Sequence, residues 1–599
     1  ERWVPVHGIV AMSDGEKVWA EIKAAFDELQ DEFGRHKIMT GFLVTTMSNT
    51  GFLIEPVFVW PEALYAIHKQ TVEESYLRKT GTLPDNPEAT ALVTKARQLC
   101  LDIFSKHAAA HFQIGRTYPY RELRQPEVMN LLERIKHIVD PGGRINPGAL
   151  GLNRPSGELT ARNPRTGERD YRFKAASASD VTAQAKTQRE ASRPWREANL
   201  DDRCTALLRF ADILEERRGA IAHALEVDTG RRRIARMEVN GVAASIRGWA
   251  AQAPHLLPTS WVKGRQNPDI THTSQYRPYE LVGVIAPWNF TLTLSMIDTI
   301  PALLAGAAVM VKPSEVTPRF VAPLSEAIEA AGLGHVLHFA QGDGATGEAI
   351  VRNADIVCFT GSVGTGRKVA VAAAEAMIPA FLELGGKDPL IVLEHADLDL
   401  AADAALRGSV LSTGQACQSI ERIYVARSVH DEFIERLVAK AEAVQLNYPD
   451  IDRGHLGPII FEKQVETLRS QIDQAAAQGA SLLTGGEIEN HGGGFWLRPT
   501  VITNVDHTMD VMRDETFGPI MPVMPFDTID QAVELANDTV YGLSAAVFGA
   551  TLDEAEAVAR RIDAGAVSLN DAALTALFHE AEKESFGLSG MGPSRMGAS

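Results

Sequence analysis

Cysteine is scarce in this sequence, and long apolar runs are missing. The chain has 599 residues but only four cysteines, Cys100, Cys204, Cys358 and Cys417, which lie far apart without a C-x-x-C pair. This spacing argues against a disulfide framework and against a zinc site, so we expect no metal and reduced thiols in the cytoplasm. No stretch approaches the roughly 18 consecutive apolar residues of a membrane span, which predicts a soluble protein without a membrane partner.

Basic residues are also fewer than acidic residues. The chain has 59 basic against 77 acidic residues, a formal charge of −18, and its arginine-rich run "GRRRIAR" (230–236) is short. Net negative charge repels nucleic acid and anionic lipid unless a basic patch offsets it, so we expect no nucleic-acid partner. The N-terminus has no basic segment followed by an apolar run, and no secretion signal is predicted.

The length indicates several domains, because a single hydrophobic core stops growing at roughly 250–300 residues. Residues 1–152 combine a helical pattern at 14–33 with strand-like runs at 40–47 and 51–60, which predicts an α+β domain. Pro, Gly, Asn and Arg are dense between 139 and 170, a composition typical of turns. We therefore place the end of the first domain near residue 152.

Beyond residue 177, long amphipathic helical patterns run to about 256, and short apolar strands then alternate with helical segments. Four such strands are "LVGVIAP", "AAVMVKP", "DIVCFTG" and "DPLIVLE". This alternation predicts parallel βα units in a doubly wound sheet, an α/β fold. Ligands of such sheets bind at the carboxyl ends of the strands.

Each of these strands leads into a polar or glycine-bearing loop. The first loop, "APWNF", contains Asn289, and the second, "KPSEVTP", contains Lys312 and Glu315. The third, "TGSVGTGRK", could bind a phosphate at a helix N-terminus. It is a weak glycine signature, because G-S-V-G-T-G does not match G-x-G-x-x-G.

Two isolated reactive side chains lie further along. Cys417, in "LSTGQACQSIERIYV", follows a polar turn whose N–H groups could favour a nucleophilic thiolate; the alternative is a small core residue. Glu383, in "LELGGKDP", could be a general base; the alternative is a carboxylate that caps a helix or pairs with Lys387. No single residue decides between these alternatives, but the combination favours a catalytic set.

Seven segments occur in the order and at the spacing of the NAD(P)-dependent aldehyde dehydrogenase superfamily, which the chain resembles over about residues 155–597. They are "GVIAPWNF", "MVKPSE", "FTGSVGTG", "LELGGKDP", "GQACQS", "ETFGPIMPV" and "YGLSAAVF". The resemblance implies two doubly wound parallel-sheet domains, an NAD-binding domain at 153–383 and a catalytic domain at 384–570. It also implies an oligomerisation segment at about 258–280, to which a tail at 571–599 returns.

Carried over residue by residue, the resemblance implies a catalytic set of Cys417, Glu383 and Asn289. Cys417 would be the nucleophile, its backbone N–H would form an oxyanion hole with Asn289, and Glu383 would activate water. The cofactor would be bound by Lys312 and Glu315 at the adenosine ribose, with Trp288 in the same groove, by Gly361, Ser362 and Gly366 at the pyrophosphate-side helix, and by Glu515 and Phe517 at the nicotinamide ribose and ring. The family also implies a dimer or tetramer.

The expected reaction oxidises an aldehyde to a carboxylic acid. A thiolate makes the carbonyl carbon tetrahedral and later leaves from a thioester, which water activated by Glu383 would hydrolyse. Relatives that pass the acyl group to coenzyme A generally lack this glutamate, so hydrolysis is preferred over that alternative. Glu315 would accept bonds from the ribose of NAD but repel the 2′-phosphate of NADP, which favours NAD. A non-catalytic scaffold is the third alternative.

Residues 1–152 resemble a different family, the FAD-linked oxidases of the vanillyl-alcohol oxidase and cresol dehydrogenase group. The matching segments are "WVPVHG", "HFQIGRTYPYRE" and "LLERIKHIVDPGGRINPGALGL". The resemblance implies a partial cap-like domain in which Arg116 matches an active-site arginine and Asn146 lies in the flavin-facing tail. Gly115 stands where relatives carry a phenol-activating tyrosine. FAD is expected only if a flavin domain precedes this segment. The fusion makes phenolic, lignin-like aldehydes the leading substrate hypothesis.

Overall fold

The computed structural model describes residues 2–64, 83–111, 117–118, 120, 124–125, 128–129, 131–132, 135–136, 146, 148–152, 158–256, 260–273, 275–574 and 584–592. The chain divides into two compact units, Glu1–Gly157 and Glu158–Ser599. Among the helices of the described ranges, none has the length and apolar character that crossing a bilayer demands.

The first unit packs helices against an antiparallel sheet. Its elements are β1 (Arg2–Pro5), β2 (Gly8–Ala11), α1 (Gly15–Glu28), α2 (Gln30–Arg35), β3 (Met39–Met47), β4 (Gly51–Trp60) and α3 (Pro87–Lys106). Strand β4 pairs with the other three strands. Val18, Ile22 and Phe26 recur every fourth residue of α1 and are buried against Phe58 and Phe104, the stripe expected of an amphipathic helix. The predicted α+β elements are present, although the expected helix at 14–33 is interrupted at Leu29.

The second unit contains the remaining elements. Its helices are α4 (Ala178–Glu197), α5 (Leu200–Glu216), α6 (Arg218–Thr229), α7 (Arg232–Leu256), α8 (Thr291–Met296), α9 (Thr299–Ala305), α10 (Val321–Ala331), α11 (Gly344–Asn353), α12 (Val363–Ala376), α13 (Leu398–Val410), α14 (His430–Glu442), α15 (Gln464–Ala477), α16 (Asp510–Arg513), α17 (Ile529–Asn537) and α18 (Leu552–Ala559). Its strands are β5 (Glu158–Ala161), β6 (Tyr171–Lys174), β7 (Val262–Lys263), β8 (Thr271–His272), β9 (Leu281–Ile285), β10 (Ala308–Lys312), β11 (Leu337–Phe339), β12 (Ile356–Thr360), β13 (Ala380–Glu383), β14 (Asp388–Val392), β15 (Ile420–Ala426), β16 (Ser481–Thr484), β17 (Ile488–His491), β18 (Gly494–Leu497), β19 (Thr500–Thr503), β20 (Ile520–Phe526), β21 (Ser544–Phe548), β22 (Ala566–Leu569) and β23 (Gly590–Met591).

A six-stranded sheet forms the first half of this unit, in the order β11-β10-β9-β12-β13-β23. Every residue of β9, β10 and β12 is buried, as expected for parallel strands covered by helices on both faces. The edge strand β23 runs antiparallel, with Gly590 opposite Glu383. The expected parallel sheet is therefore mixed, because the returning C-terminal segment adds an antiparallel edge.

A seven-stranded sheet forms the second half, in the order β16-β19-β20-β15-β14-β21-β22. Strand β16 is antiparallel to β19, whereas β14, β15 and β20 pair in parallel. Strand β14 is the predicted strand "DPLIVLE". It lies inside this second sheet. The short segment 384–387 therefore joins the end of β13, in the first sheet, to the start of β14, in the second.

Candidate active site

The carboxyl edge of the six-stranded sheet presents several predicted residues. Lys312 and Glu383 are the last residues of β10 and β13, and Asn289 lies in the loop after β9. Gly361 and Ser362 follow β12 directly. This is the edge at which ligands of doubly wound sheets bind.

Cys417 approaches from the second sheet, in the loop before β15. Upstream of it, Ser412, Thr413 and Gly414 adopt positive φ angles of 59°, 62° and 67°. A Cβ on Gly414 would lie 2.3 Å from the carbonyl carbon of Gly518, so only glycine fits there. This close backbone contact fixes the turn that presents the partly exposed Cys417.

Asn289 is buried and reaches the same loop. Its Nδ2 donates to the carbonyl oxygen of Gln415 at 3.0 Å. The Gln415 side chain in turn donates to the carbonyl oxygen of Pro458 at 3.2 Å and accepts from the N–H of Ile460 at 2.9 Å. These hydrogen bonds hold the side-chain amide of Asn289 against the backbone of Gln415, which lies two residues before Cys417.

The chain after Glu383 also passes against Cys417. A Cβ on Gly386 would lie 2.7 Å from the carbonyl oxygen of Cys417, which only glycine permits. The structure thus brings the segments of the predicted nucleophile, base and oxyanion donor together at one junction between the two sheets. Lys387, the alternative partner of Glu383, instead donates to Glu421 at 2.9 Å and to Thr516 Oγ1 at 2.7 Å.

A C-terminal residue that the sequence reasoning missed supports this junction. Ser589 is fully buried; its Oγ donates to the carbonyl oxygen of Gly385 at 2.7 Å and accepts from the N–H of Gly542 at 2.9 Å. Its own carbonyl oxygen accepts from the N–H of Leu384 at 2.8 Å. A serine in a glycine-bearing tail gives no signal from which this role could be predicted.

The predicted adenosine-ribose residues lie together. Lys312 is buried, and its Nζ donates to Glu315 Oε2 at 2.5 Å. Ser362 caps α12 by accepting from the N–H of Thr365 at 3.4 Å. A Cβ on Gly366 would lie 2.5 Å from Leu384 Cδ2, so this glycine allows the helix to approach the segment after Glu383, and its predicted role toward a cofactor stays a prediction.

Two aromatic rings pack on Trp288, the residue before Asn289. The ring centroid of Trp288 lies 5.4 Å from that of Phe517 in an edge-to-face contact and 5.8 Å from that of Phe461. Phe461 follows Ile460, which is bonded to Gln415. It was not predicted, because only the fold brings this loop beside Trp288.

A buried carboxylate shapes the loop of Glu515 and Phe517. Glu421 accepts from the N–H groups of Thr516 at 2.7 Å and Phe517 at 2.8 Å, which holds Phe517 at a φ of 53°. Burial and the negative charge of Glu421 raise the pKa of Glu515 to about 8, against a weak opposing bond of 3.4 Å from the N–H of Gly386. Glu515 is thus a carboxyl group with unused acceptor capacity, which suits a ligand that offers hydroxyl donors.

The cysteine loop meets the carboxyl edge of the six-stranded sheet at the junction of two βα sheets, the place where an α/β enzyme binds its ligands. The model of the aldehyde dehydrogenase family matches residues 153–599, and the chain belongs to this family of NAD(P)-linked oxidoreductases that act on aldehydes. The match begins after the first 152 residues.

Individual relatives cover most of the second unit. The structure of the aldehyde dehydrogenase PutA from Anabaena variabilis is 53% identical, with a TM-score of 0.72 over 74% of this chain and 94% of that one. Lactaldehyde dehydrogenase from Escherichia coli is 27% identical, with a TM-score of 0.68 over 74% and 93%. A protein named succinate-semialdehyde dehydrogenase (NADP(+)) from Mycolicibacterium smegmatis is 37% identical over 423 residues, 69% of this chain and 82% of its own.

Proposed function

We propose that this chain oxidises an aldehyde to the carboxylic acid, with Cys417 as nucleophile, Asn289 in the oxyanion hole and Glu383 as base. The observation that supports this proposal most is the contact of both partners with the cysteine loop. Gly386, three residues after Glu383, lies against the carbonyl oxygen of Cys417, and Asn289 donates to Gln415.

The residues perform the reaction in two halves. The Cys417 thiolate forms a bond to the carbonyl carbon, and the C=O electron pair moves to oxygen. Asn289 Nδ2 carries two N–H groups; one is held by Gln415, and the other is available to the oxyanion, a role worth roughly 3–4 kcal/mol at comparable sites. NAD(P), when bound, would accept the hydride that leaves the tetrahedral carbon as its C=O bond re-forms, and this step gives the thioester. Glu383 then takes a proton from water, which attacks the thioester and releases the acid and the thiolate.

The two halves are separable by experiment. With benzaldehyde and NAD, Cys417→Ala should abolish NADH formation, whereas Glu383→Gln should keep a burst of about one NADH per site and then turn over slowly, because only deacylation is blocked. Cys204→Ala is the matched control, since that thiol donates to the carbonyl oxygen of Ala250 on a helix. An inactive wild-type chain would favour the scaffold alternative, and a requirement for coenzyme A would favour the acylating one.

NAD is the proposed cofactor. The described residues fit it: a Lys312–Glu315 pair at a strand end, a capped helix N-terminus at Ser362 and the carboxyl group of Glu515. Glu315 competes with a 2′-phosphate for Lys312 and repels that phosphate. The relative from M. smegmatis is named for NADP, so both cofactors belong in the assay.

Aromatic, lignin-like aldehydes are the proposed substrates. The resemblance of residues 1–152 to oxidases of phenolic compounds supports this class, since such an oxidase would release an aromatic aldehyde for the second unit. The panel should compare vanillin and benzaldehyde with hexanal, succinate semialdehyde and betaine aldehyde, the last two because relatives bear those names. A kcat/KM that is highest for hexanal or succinate semialdehyde would overturn the aromatic proposal.

The first 152 residues are proposed to be a partial cap of an FAD-linked oxidase. The antiparallel sheet with helices on it is compatible with this proposal. Gly115 and Arg116 lie outside the described residues, and Asn146 is exposed with a φ of 44°. An upstream flavin alcohol oxidase would make the aldehyde that the second unit consumes. Reading the complete gene, and testing its product for flavin absorbance, decides this proposal.

A homo-oligomer is proposed to form through the β7–β8 hairpin. Trp261 and Ile270, which flank these strands, are 70% and 58% exposed, and exposed large apolar side chains of this kind support an association surface. Ile270→Asp should lower the molar mass measured by light scattering. An unchanged mass would contradict this surface.

A further inference from the structure

Two buried ionisable side chains, Arg231 and Glu238, contact the backbone at and just after Asn289. Arg231 precedes α7, Glu238 lies within that helix, and both side chains are buried. Removing two charges from water costs several kcal/mol per ion unless their surroundings compensate. The hydrogen bonds of the two side chains show which backbone segments they hold in place.

Arg231 connects two backbone segments of the proposed site. Its guanidinium donates to the carbonyl oxygen of Asn289 and, at 3.3 Å, to that of Ser412. The guanidinium carbon lies 5.5 Å from the ring centroid of Phe290. Gly457 leaves room for the side chain of Arg231, since a Cβ at residue 457 would lie 2.7 Å from Arg231 Cγ.

Glu238 holds the chain on the other side of Asn289. Its Oε2 accepts from the N–H groups of Leu292 and Thr293, both at 3.0 Å. Arg231 therefore binds the carbonyl group of residue 289, and Glu238 binds the N–H groups of residues 292 and 293. Burial lowers the pKa of Arg231 to about 10, so the guanidinium stays charged near neutrality, and burial raises the pKa of Glu238 to about 7.

We propose that Arg231 is a positioning residue for the oxidation at Cys417, because it fixes the backbone of Asn289 against the turn that presents the cysteine. This inference rests on the proposed function. An oxyanion donor works only when it is already aimed at the developing charge. The planar fork of arginine reaches two carbonyl groups at once, whereas the ammonium group of lysine is a point charge on a flexible stem.

The test is a double-mutant cycle in the complete chain. The variants are Arg231→Met, Arg231→Lys, Asn289→Ala and the double variant Arg231→Met with Asn289→Ala. Arg232→Met is the matched control, because the neighbouring Arg232 pairs with Glu226 and Asp452 away from the cysteine loop. For each variant, kcat and KM with one aldehyde are measured beside the thermal unfolding midpoint.

We expect Asn289→Ala to lower kcat by about 10²–10³-fold and Arg231→Met by about tenfold or more, with KM changed less. The double variant should be nearly as active as Asn289→Ala alone, since Arg231 acts through that residue. Arg231→Lys should recover part of the loss, and Arg232→Met should leave kcat within about twofold.

Losses that multiply in the double variant would overturn the inference, as would full activity of Arg231→Met. If Arg231→Met does not fold, the same cycle is run with Arg231→Lys, and multiplicative losses again count against it. An inactive wild-type enzyme would overturn the proposed function as well, whereas an active wild type with multiplicative losses would overturn this inference alone.

Discussion

At the scale of residues, the site uses carboxyl groups whose surroundings differ. Glu315 is partly exposed and paired with Lys312. Glu421 is buried and accepts two N–H groups and the Lys387 ammonium. Glu515 has a raised pKa because it is desolvated beside Glu421. The same functional group can therefore pair with a lysine, hold the backbone of a loop or keep acceptor capacity for a ligand.

The Lys312–Glu315 pair gives the first prediction. Glu315→Gln should raise kcat/KM for NADP relative to NAD by about tenfold, because the 2′-phosphate no longer meets a negative charge and Lys312 is released to bind it. Steady-state kinetics with both cofactors measure the ratio. Glu326→Gln, an exposed glutamate paired with Arg217, is the control. An unchanged ratio in Glu315→Gln would mean that this carboxylate does not select the cofactor.

Glu515 gives a prediction about pH. Its pKa in the free protein is raised to about 8, and only the ionised carboxylate accepts two ribose hydroxyl groups. Below pH 8 its proton must be lost on binding, so the Kd for NAD should fall about tenfold between pH 7 and pH 9. Fluorescence titration of NAD measures this dependence. Glu515→Gln should bind more weakly and without that slope; a flat profile in the wild type would refute the assignment.

At the scale of elements, loops between the two sheets determine the geometry. The turn at 412–414 has three consecutive residues with positive φ, and Gly414 contacts the backbone of Gly518. Strand β23 pairs with β13 and carries Ser589 into the segment after Glu383. The cysteine and the glutamate are thus positioned by contacts with chain segments that are distant in sequence.

Replacing Gly414 tests the turn. Gly414→Ala should lower the free energy of unfolding by more than about 2 kcal/mol, because a Cβ is strained at positive φ and would lie 2.3 Å from the carbonyl group of Gly518. Chemical denaturation measures the loss. The control is Gly248→Ala in α7, where a Cβ meets nothing within 4 Å and helix propensity predicts a gain of about 0.5–1 kcal/mol. Equal stabilities of the two variants would contradict this account.

At the scale of the whole molecule, the chain has two compact units with separate cores. One core cluster contains residues only between Val6 and Tyr118, whereas the other clusters lie between Val181 and Ala572. The residues proposed for aldehyde oxidation all belong to the second unit. A domain with its own core can fold alone.

A truncated protein tests this division. Residues 158–599 expressed alone should fold cooperatively and keep kcat/KM for an aldehyde within about threefold of the full chain, since the proposed site needs no residue of the first unit. Circular dichroism and kinetics check folding and activity. Cys417→Ala in the same fragment is the negative control. An unfolded or inactive fragment would show that the first unit is required.

Much of the fold, and the place of several proposed site residues in it, could be predicted from the order of local sequence patterns. Alternating strands and helices predicted the α/β sheets, and seven ordered segments predicted the family. Asn289, Lys312 and Glu383 were expected near strand ends, where the structure has them. These features are readable from sequence because each depends on residues close together in the chain.

The hydrogen-bond partners of the buried polar side chains are determined only by the tertiary structure. Lys387 pairs with Glu421 rather than with Glu383, Ser589 bonds to Gly385, and Arg231 reaches both Asn289 and Ser412. A charged or hydroxyl side chain has the same letter in a sequence whether it is solvated or buried. Burial makes an unpaired polar group costly, so which distant backbone groups satisfy it is determined only when the two sheets pack together.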